Sequence, residues 1–159
     1  MTRSPVLARL ADFLPYLLSV TSNAVSGRVA DAYRAQFGLR IPEWRVMAVL
    51  GDAGTLTQRE LTSATLMDKV AVNRACKALE DRALAARIAN ERDGRSHHLA
   101  LTEEGRAMHG RIMPLALAME ERLFERFSID DREAFARLLT RLREASAELG
   151  HQGAAGGPD

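Results

Sequence analysis

At 159 residues, with 47% hydrophobic and 27% charged side chains, the chain has the balance of one globular domain with a sizeable core, which excludes an intrinsically disordered protein. Its formal net charge is only +1, so any hold on nucleic acid must come from a local cluster of cations. A lone cysteine, Cys76, rules out an internal disulfide, no apolar run reaches the roughly 18 residues of a membrane helix, and Met1-Thr2-Arg3-Ser4-Pro5 lacks a signal-peptide pattern, so a cytoplasmic protein with no membrane partner is expected.

From the N-terminus, Ser4 and Pro5 suit a short first turn. Leu7, Leu10, Leu14, Leu17, Leu18, Thr21, Val25, Val29 and Ala32 recur at helical spacing. Pro15 would kink a helix interior, so the main helix is expected to begin between Asp12 and Pro15 and to close at Phe37-Gly38, where glycine supplies a left-handed cap. A second helix is predicted over Ile41 to Leu50, stopping in Gly51-Asp52-Ala53-Gly54. Thr57-Gln58-Arg59-Glu60 is a capping box that opens a short helix through Ala64. Asp68 caps the next helix, expected to run through Leu79 to about Ala83.

Ala85 to Glu91 and Ser96 to Leu101 alternate as two strands joined at Asp93-Gly94, a pair that accepts the positive φ of a tight hairpin turn. Thr102-Glu103-Glu104 caps a long helix to about Phe127, with a kink expected at Pro114. Asp130-Asp131 opens a last helix carrying Phe135, Leu138, Leu139, Leu142 and Ala145 on one face. Residues 150–159 are expected to form a disordered tail.

Thr65-Leu66-Met67 separates two helices by the length of a helix-turn-helix turn. In the second of these helices Val72, Cys76, Leu79 and Ala83 are spaced to point inward, while Lys69, Asn73, Arg74 and Lys77 share the other side with small Val70 and Ala71. That side holds no acid between Lys69 and Lys77. Such a helix start suits a major groove, where Arg or Lys pairs with guanine and Asn with adenine; the plain alternative is a solvated charged face. The hairpin tips the balance toward DNA. Arg92 and Arg95 flank its tip, within reach of phosphates or a narrow minor groove, and Asp93 can stiffen the tip by pairing with one of them. Thr57, at a helix start, is a candidate phosphate donor.

Cys76 reads as a small core hydrophobe in preference to a redox sensor. His97 and His98 face opposite ways on a strand and His109 and His151 are scattered, so no metal or cofactor is expected; His97 or His98 is a candidate contact to DNA backbone. Trp44 and Met47, set against Leu17, Leu18 and Thr21, are candidate walls of a ligand pocket, with core packing the default for such a face. No phosphate loop or nucleophile motif points to an enzyme.

The stretch Pro42 to Gly105 resembles the MarR family of winged-helix transcription regulators. Glu43-Trp44-Arg45-Val46, Leu56-Thr57-Gln58-Arg59-Glu60-Leu61 and Leu79-Glu80-Asp81-Arg82 carry the likeness, and above all Asp93-Gly94-Arg95-Ser96 followed by Leu99-Ala100-Leu101-Thr102-Glu103-Glu104-Gly105. Ala83 departs from the pattern, since relatives usually place Gly before the first wing strand. The resemblance implies a homodimer with intertwined terminal helices, a palindromic operator, and a small aromatic or phenolic effector for which Arg45, beside Trp44, offers a cation. A two-fold dimer also covers the apolar stripes of the terminal helices and sets two recognition helices about 34 Å apart.

The elements together describe a mainly α chain, a winged helix-turn-helix with a two-stranded wing flanked by long N- and C-terminal dimerisation helices. The expected divisions are 1–40 for N-terminal dimerisation, 41–102 for the DNA-binding region, 103–149 for the C-terminal dimerisation helices and 150–159 for the tail. Together with the resemblance they imply a homodimer that binds a pseudo-palindromic operator and represses transcription, relieved by a small molecule. Lys69, Val70, Asn73 and Arg74 are assigned to bases, Lys77, Arg92 and Arg95 to backbone or minor groove, and Thr57 to phosphate. Leu18, Thr21, Trp44, Arg45 and Met47 are assigned to an effector pocket. The alternative is a winged-helix module that binds protein instead of DNA.

Overall fold

The computed structural model describes residues 9–89 and 97–155, with side chains described as far as residue 150. A single 3-10 turn, Leu10–Asp12, leads into α1 (Leu14–Phe37), α2 (Ile41–Ala53), β1 (Leu56–Thr57), α3 (Gln58–Thr65) and α4 (Lys69–Asp81). These are followed by β2 (Ala85–Ala89), β3 (His97–Leu101), α5 (Glu103–Phe124) and α6 (Ile129–Ala155). Among the described residues there are thus six α-helices and one small antiparallel sheet, a winged helix-turn-helix with long helices before and after it. The expected first turn at Ser4-Pro5 and the hairpin tip at Asp93-Gly94 lie outside the described residues.

Local chemistry sets the helix ends. Pro15 sits in the first turn of α1, where its missing amide costs nothing, and Gly38 closes the helix at φ 65°, donating its amide to the Arg34 carbonyl at 2.8 Å. Asp68 accepts the Ala71 amide at 2.8 Å to start α4. The last helix starts earlier than its acid pair suggested. Ser128 Oγ accepts the Asp131 amide at 3.1 Å while Asp131 accepts from Ser128 Oγ at 2.7 Å, so Asp131 is the third residue of a capping box and not the opening one. At its other end α6 runs through Gly150 to Ala155, into the segment expected to be a disordered tail. Gly150 and Gly153 cost the helix about 1 kcal/mol each, a loss that an α-helix of 27 residues can carry, and Ala154 and Ala155 favour continuation.

Contacts divide the chain into two compact units, residues 1–120 and 121–159. In the first, Tyr33, Leu39, Met47, Leu50, Leu61, Leu79, Leu84 and Ile112 are fully buried. The apolar spacing of α1 does not mark this core. The buried positions are Ala30, Tyr33 and Phe37, whereas Leu14, Leu17, Leu18, Val20 and Val25 are exposed. In the second unit Phe124 lies against Phe127 and Phe135, and the Arg132 guanidinium covers the Phe124 ring, pairs with Glu121 at 3.1 Å and donates to the Phe124 carbonyl at 2.8 Å. Phe135, Leu138, Leu139, Leu142 and Leu149 of α6 are exposed.

The sheet has a strand more than expected, in the order β1-β3-β2, with Leu56 opposite Leu99 and Thr57 opposite His98. Two residues are too few to show alternation, so β1 leaves no pattern to read. In β2 only Ala85 is buried and the next four residues are exposed, as befits an edge strand.

Ala83 does not continue the inward face of α4. The helix ends at Asp81, and Ala83 is exposed in the left-handed region at φ 55°. Its amide bonds the Glu80 carbonyl at 2.9 Å and the Leu84 amide bonds the Leu79 carbonyl at 2.9 Å. Buried Leu84 and Leu79 complete the hydrophobic contact of a Schellman motif. The motif requires a left-handed residue whether or not glycine occupies it. Ala83→Gly is therefore expected to raise stability by about 1 kcal/mol, because the strain removed exceeds the added unfolded-state entropy. A urea midpoint that falls in the variant would show Ala83 to be unstrained.

Candidate nucleic-acid interface

The turn between α3 and α4 is made by Leu66, exposed and left-handed at φ 52°. It brings α4 out with its two faces cleanly divided. Val72, Ala75, Cys76 and Leu79 are buried; Lys69, Val70, Asn73, Arg74 and Lys77 are all exposed. The acids that follow are neutralised within the chain. Asp81 pairs with Lys77 at 3.0 Å and Glu80 with Arg87 of β2 at 3.0 Å. Among the described residues Lys69 and Arg74 have no ion pair, so their charges face solvent.

Thr57 is more occupied than the sequence suggests. Its hydroxyl donates to Glu60 Oε2 at 2.8 Å and accepts the Glu60 amide at 3.2 Å, while its own amide donates to the same carboxylate at 2.7 Å. Those bonds hold the Glu60 carboxyl below its ordinary value, the Thr57 amide contributing most. Beside them Thr57, Gln58, Arg59, Arg87, His97 and His98 line a shallow cleft of about 310 Å³ between the start of α3 and the wing strands. Gln58 and Arg59 figured in the sequence only as part of a capping box and of the family likeness, and Arg87 not at all; folding of α3 against the sheet brings the three to the cleft. Gln58 also donates to Asn73 Oδ1 at 3.3 Å, across two helices. Arg92 and Arg95 lie outside the described residues.

The candidate effector residues fall into two groups. Trp44 and Met47 are buried, Trp44 between Tyr33 at 5.5 Å and His109 at 5.7 Å between ring centroids. Leu18, Thr21 and Arg45 are exposed, and Arg45 donates to Ser26 Oγ of α1 at 3.3 Å. Cys76 is fully buried, and burial pushes its thiol up to about 11, so at neutral pH it is protonated and a poor nucleophile. Among the described residues no three His, Cys, Asp or Glu side chains gather to hold a metal ion, and no helix is long and apolar enough to cross a membrane.

Known proteins share this arrangement. A MarR family model matches residues 37–96. The HTH-type transcriptional repressor Rv2887 of Mycobacterium tuberculosis is 30% identical over 135 residues, which cover 84% of this chain and 96% of the relative. The crystal structure of the MarR family transcriptional regulator SPO1453 from Silicibacter pomeroyi superposes with a TM-score of 0.75 at 31% identity, covering 87% of this chain and 98% of that one. A MarR/EmrR family regulator from Acinetobacter sp. superposes with a TM-score of 0.81 over 89% of this chain and 99% of that one; at 24% identity it is a likeness of fold. With a winged helix-turn-helix of this geometry and relatives aligned along nearly their whole length, the chain belongs to the MarR family and is a transcriptional regulator, not an enzyme.

Proposed function

We propose that this regulator is a cytoplasmic homodimer that binds a pseudo-palindromic operator in double-stranded DNA, represses transcription there and is released by a small aromatic or phenolic molecule. The observation that carries the DNA reading is the exposed, acid-free start of α4, with Lys69, Val70, Asn73, Arg74 and Lys77 on one side of a helix whose other side is core. In this reading Lys69, Asn73 and Arg74 bond base edges and Val70 meets a thymine methyl. Lys77, Arg92 and Arg95 take backbone or minor groove, and Thr57 exchanges its hydroxyl bond to Glu60 for one donated to a phosphate. Residues 41–102 read DNA, while 1–40 and 103–149 supply dimer contacts, a division supported by the exposed leucines of α1 and α6. Exposed Arg45 beside Trp44 supports an acidic aromatic effector, with Leu18, Thr21 and Met47 completing its surroundings.

Selection of duplexes from a random pool tests the reading directly. One enriched palindrome is expected, with affinity that falls steeply as salt rises. Arg74→Ala should cost about 1–3 kcal/mol and relax the preference at one base pair. No enriched sequence, together with binding that ignores salt, would overturn it. Lys77 offers a finer test. Asp81→Asn frees its ammonium for phosphate, and an exposed pair of this kind is worth about 0.2–1 kcal/mol, so duplex affinity at low salt should rise by roughly 1.5- to 5-fold. Unchanged affinity would remove Lys77 from the phosphate contacts.

A further inference from the structure

The reading face of α4 is not built by α4 alone. Gln58, the first residue of α3, lies fifteen positions before Asn73, and its Nε2 donates to Asn73 Oδ1 at 3.3 Å. Gln58 is held from behind. The Thr57–Glu60 capping box sets its backbone, its carbonyl accepts from Thr62 Oγ1 at 2.8 Å, and its side chain is half-buried. The donor therefore stands on a rigid helix start, a better anchor for a reading group than a loop.

The consequence follows from amide chemistry. An Asn side chain carries an acceptor oxygen and a donor nitrogen, and rotation about its last torsion exchanges them. In the major groove adenine shows an acceptor beside a donor, whereas guanine shows two acceptors. An amide free to rotate serves either purine; an amide held in one orientation tells them apart. We propose that Gln58 is a specificity-determining residue of this regulator, fixing which edge of the Asn73 amide faces the base opposite it. The proposal rests on the operator-binding reading above and adds to it a positioning residue outside the recognition helix.

The test is base selection from a random duplex pool by the full chain, its Gln58→Ala, Gln58→Glu and Asn73→Ala variants, and the Gln58→Ala/Asn73→Ala double variant, each first shown to be folded by a cooperative thermal melt. The wild type should favour one purine at one position in each half-site. Gln58→Ala should lower that preference by roughly 3- to 10-fold, a part of the discrimination that a good Asn–purine pair supplies. In the Asn73→Ala background the same substitution should change nothing further at that position, the signature of one residue acting through the other. Gln58→Glu offers only acceptors, so it should turn the Asn73 amide over and change which purine is favoured. Effects of Gln58→Ala and Asn73→Ala that simply add would make Gln58 a direct base contact and overturn the proposal. So would an intact preference in the Gln58 variants when the wild type enriches an operator. If the wild type enriches no sequence, the operator reading fails and takes this inference with it.

Discussion

Gly105→Ala is expected to lower the unfolding free energy by about 3 kcal/mol, the upper part of the range for overpacked sites. Helix propensity alone points the other way, because alanine is up to about 1 kcal/mol better than glycine inside a helix. The steric term is larger. A Cβ at Gly105 overlaps the Leu84 carbonyl oxygen and comes within 2.9 Å of the Leu84 carbonyl carbon, both backbone atoms at the root of the wing. That carbonyl cannot turn aside, since it accepts the Thr102 amide at 3.1 Å. Thr102 Oγ1 in turn donates to the Ala83 carbonyl at 2.7 Å and accepts the Gly105 amide at 3.0 Å, tying the end of α4, the wing and the start of α5 together. Making room means lifting α5 off the wing root and giving up bonds worth about 1 kcal/mol each. Gly51→Ala is the contrasting case. There the added methyl would meet the His109 ring at 2.6 Å, and a side chain that can swing away limits the loss to the stacking on Trp44, about 1 kcal/mol. Urea denaturation of both variants checks the pair. A Gly105→Ala cost below about 0.5 kcal/mol would mean that α5 and the wing slide past each other freely.

What the sequence revealed, and what it hid, divides by the range of the interaction. Asp68, the Thr57–Glu60 box and Gly38 act on neighbours within a turn, and each does what its residue type predicts. The two faces of α4 were legible because a 3.6-residue period separates Val72, Cys76 and Leu79 from Lys69, Asn73 and Arg74 without further information. Ala83 was assigned inward by extending that period past the point where the helix stops, since nothing about an alanine announces a left-handed cap. The Gln58–Asn73 bond and the Arg87–Glu80 pair join different elements, and only the packing of α3 and the sheet against α4 brings them within reach. The stripe on α1 was legible as a face in need of a partner, but not which partner. Leu14, Leu17 and Leu18 keep a helical period but stay exposed in the single chain, because an apolar face does not say whether its partner is the same molecule or a second copy.

That ambiguity makes α6 the place to test the dimer. Leu138→Glu combined with Leu142→Glu puts two carboxylates on its exposed face, where Leu138 is 59% and Leu142 52% accessible in the single chain. In a lone chain the change costs little, because both side chains already meet water. In a dimer that covers this face, each carboxylate loses its hydration without a partner, a penalty of several kcal/mol per ion. The variant is therefore expected to sediment as a monomer while its far-ultraviolet circular dichroism stays helical, since every member of the buried cluster, Ala30 to Ile112, precedes α6 in the chain. Operator affinity should fall by at least about 100-fold, because each half-site is then bound without the effective concentration that linkage to its twin provides. The two readouts must move together. A dimer that survives with full operator affinity places the two-fold contact elsewhere, on the exposed leucines of α1, whereas a monomer that still binds with full affinity would show that one winged domain suffices.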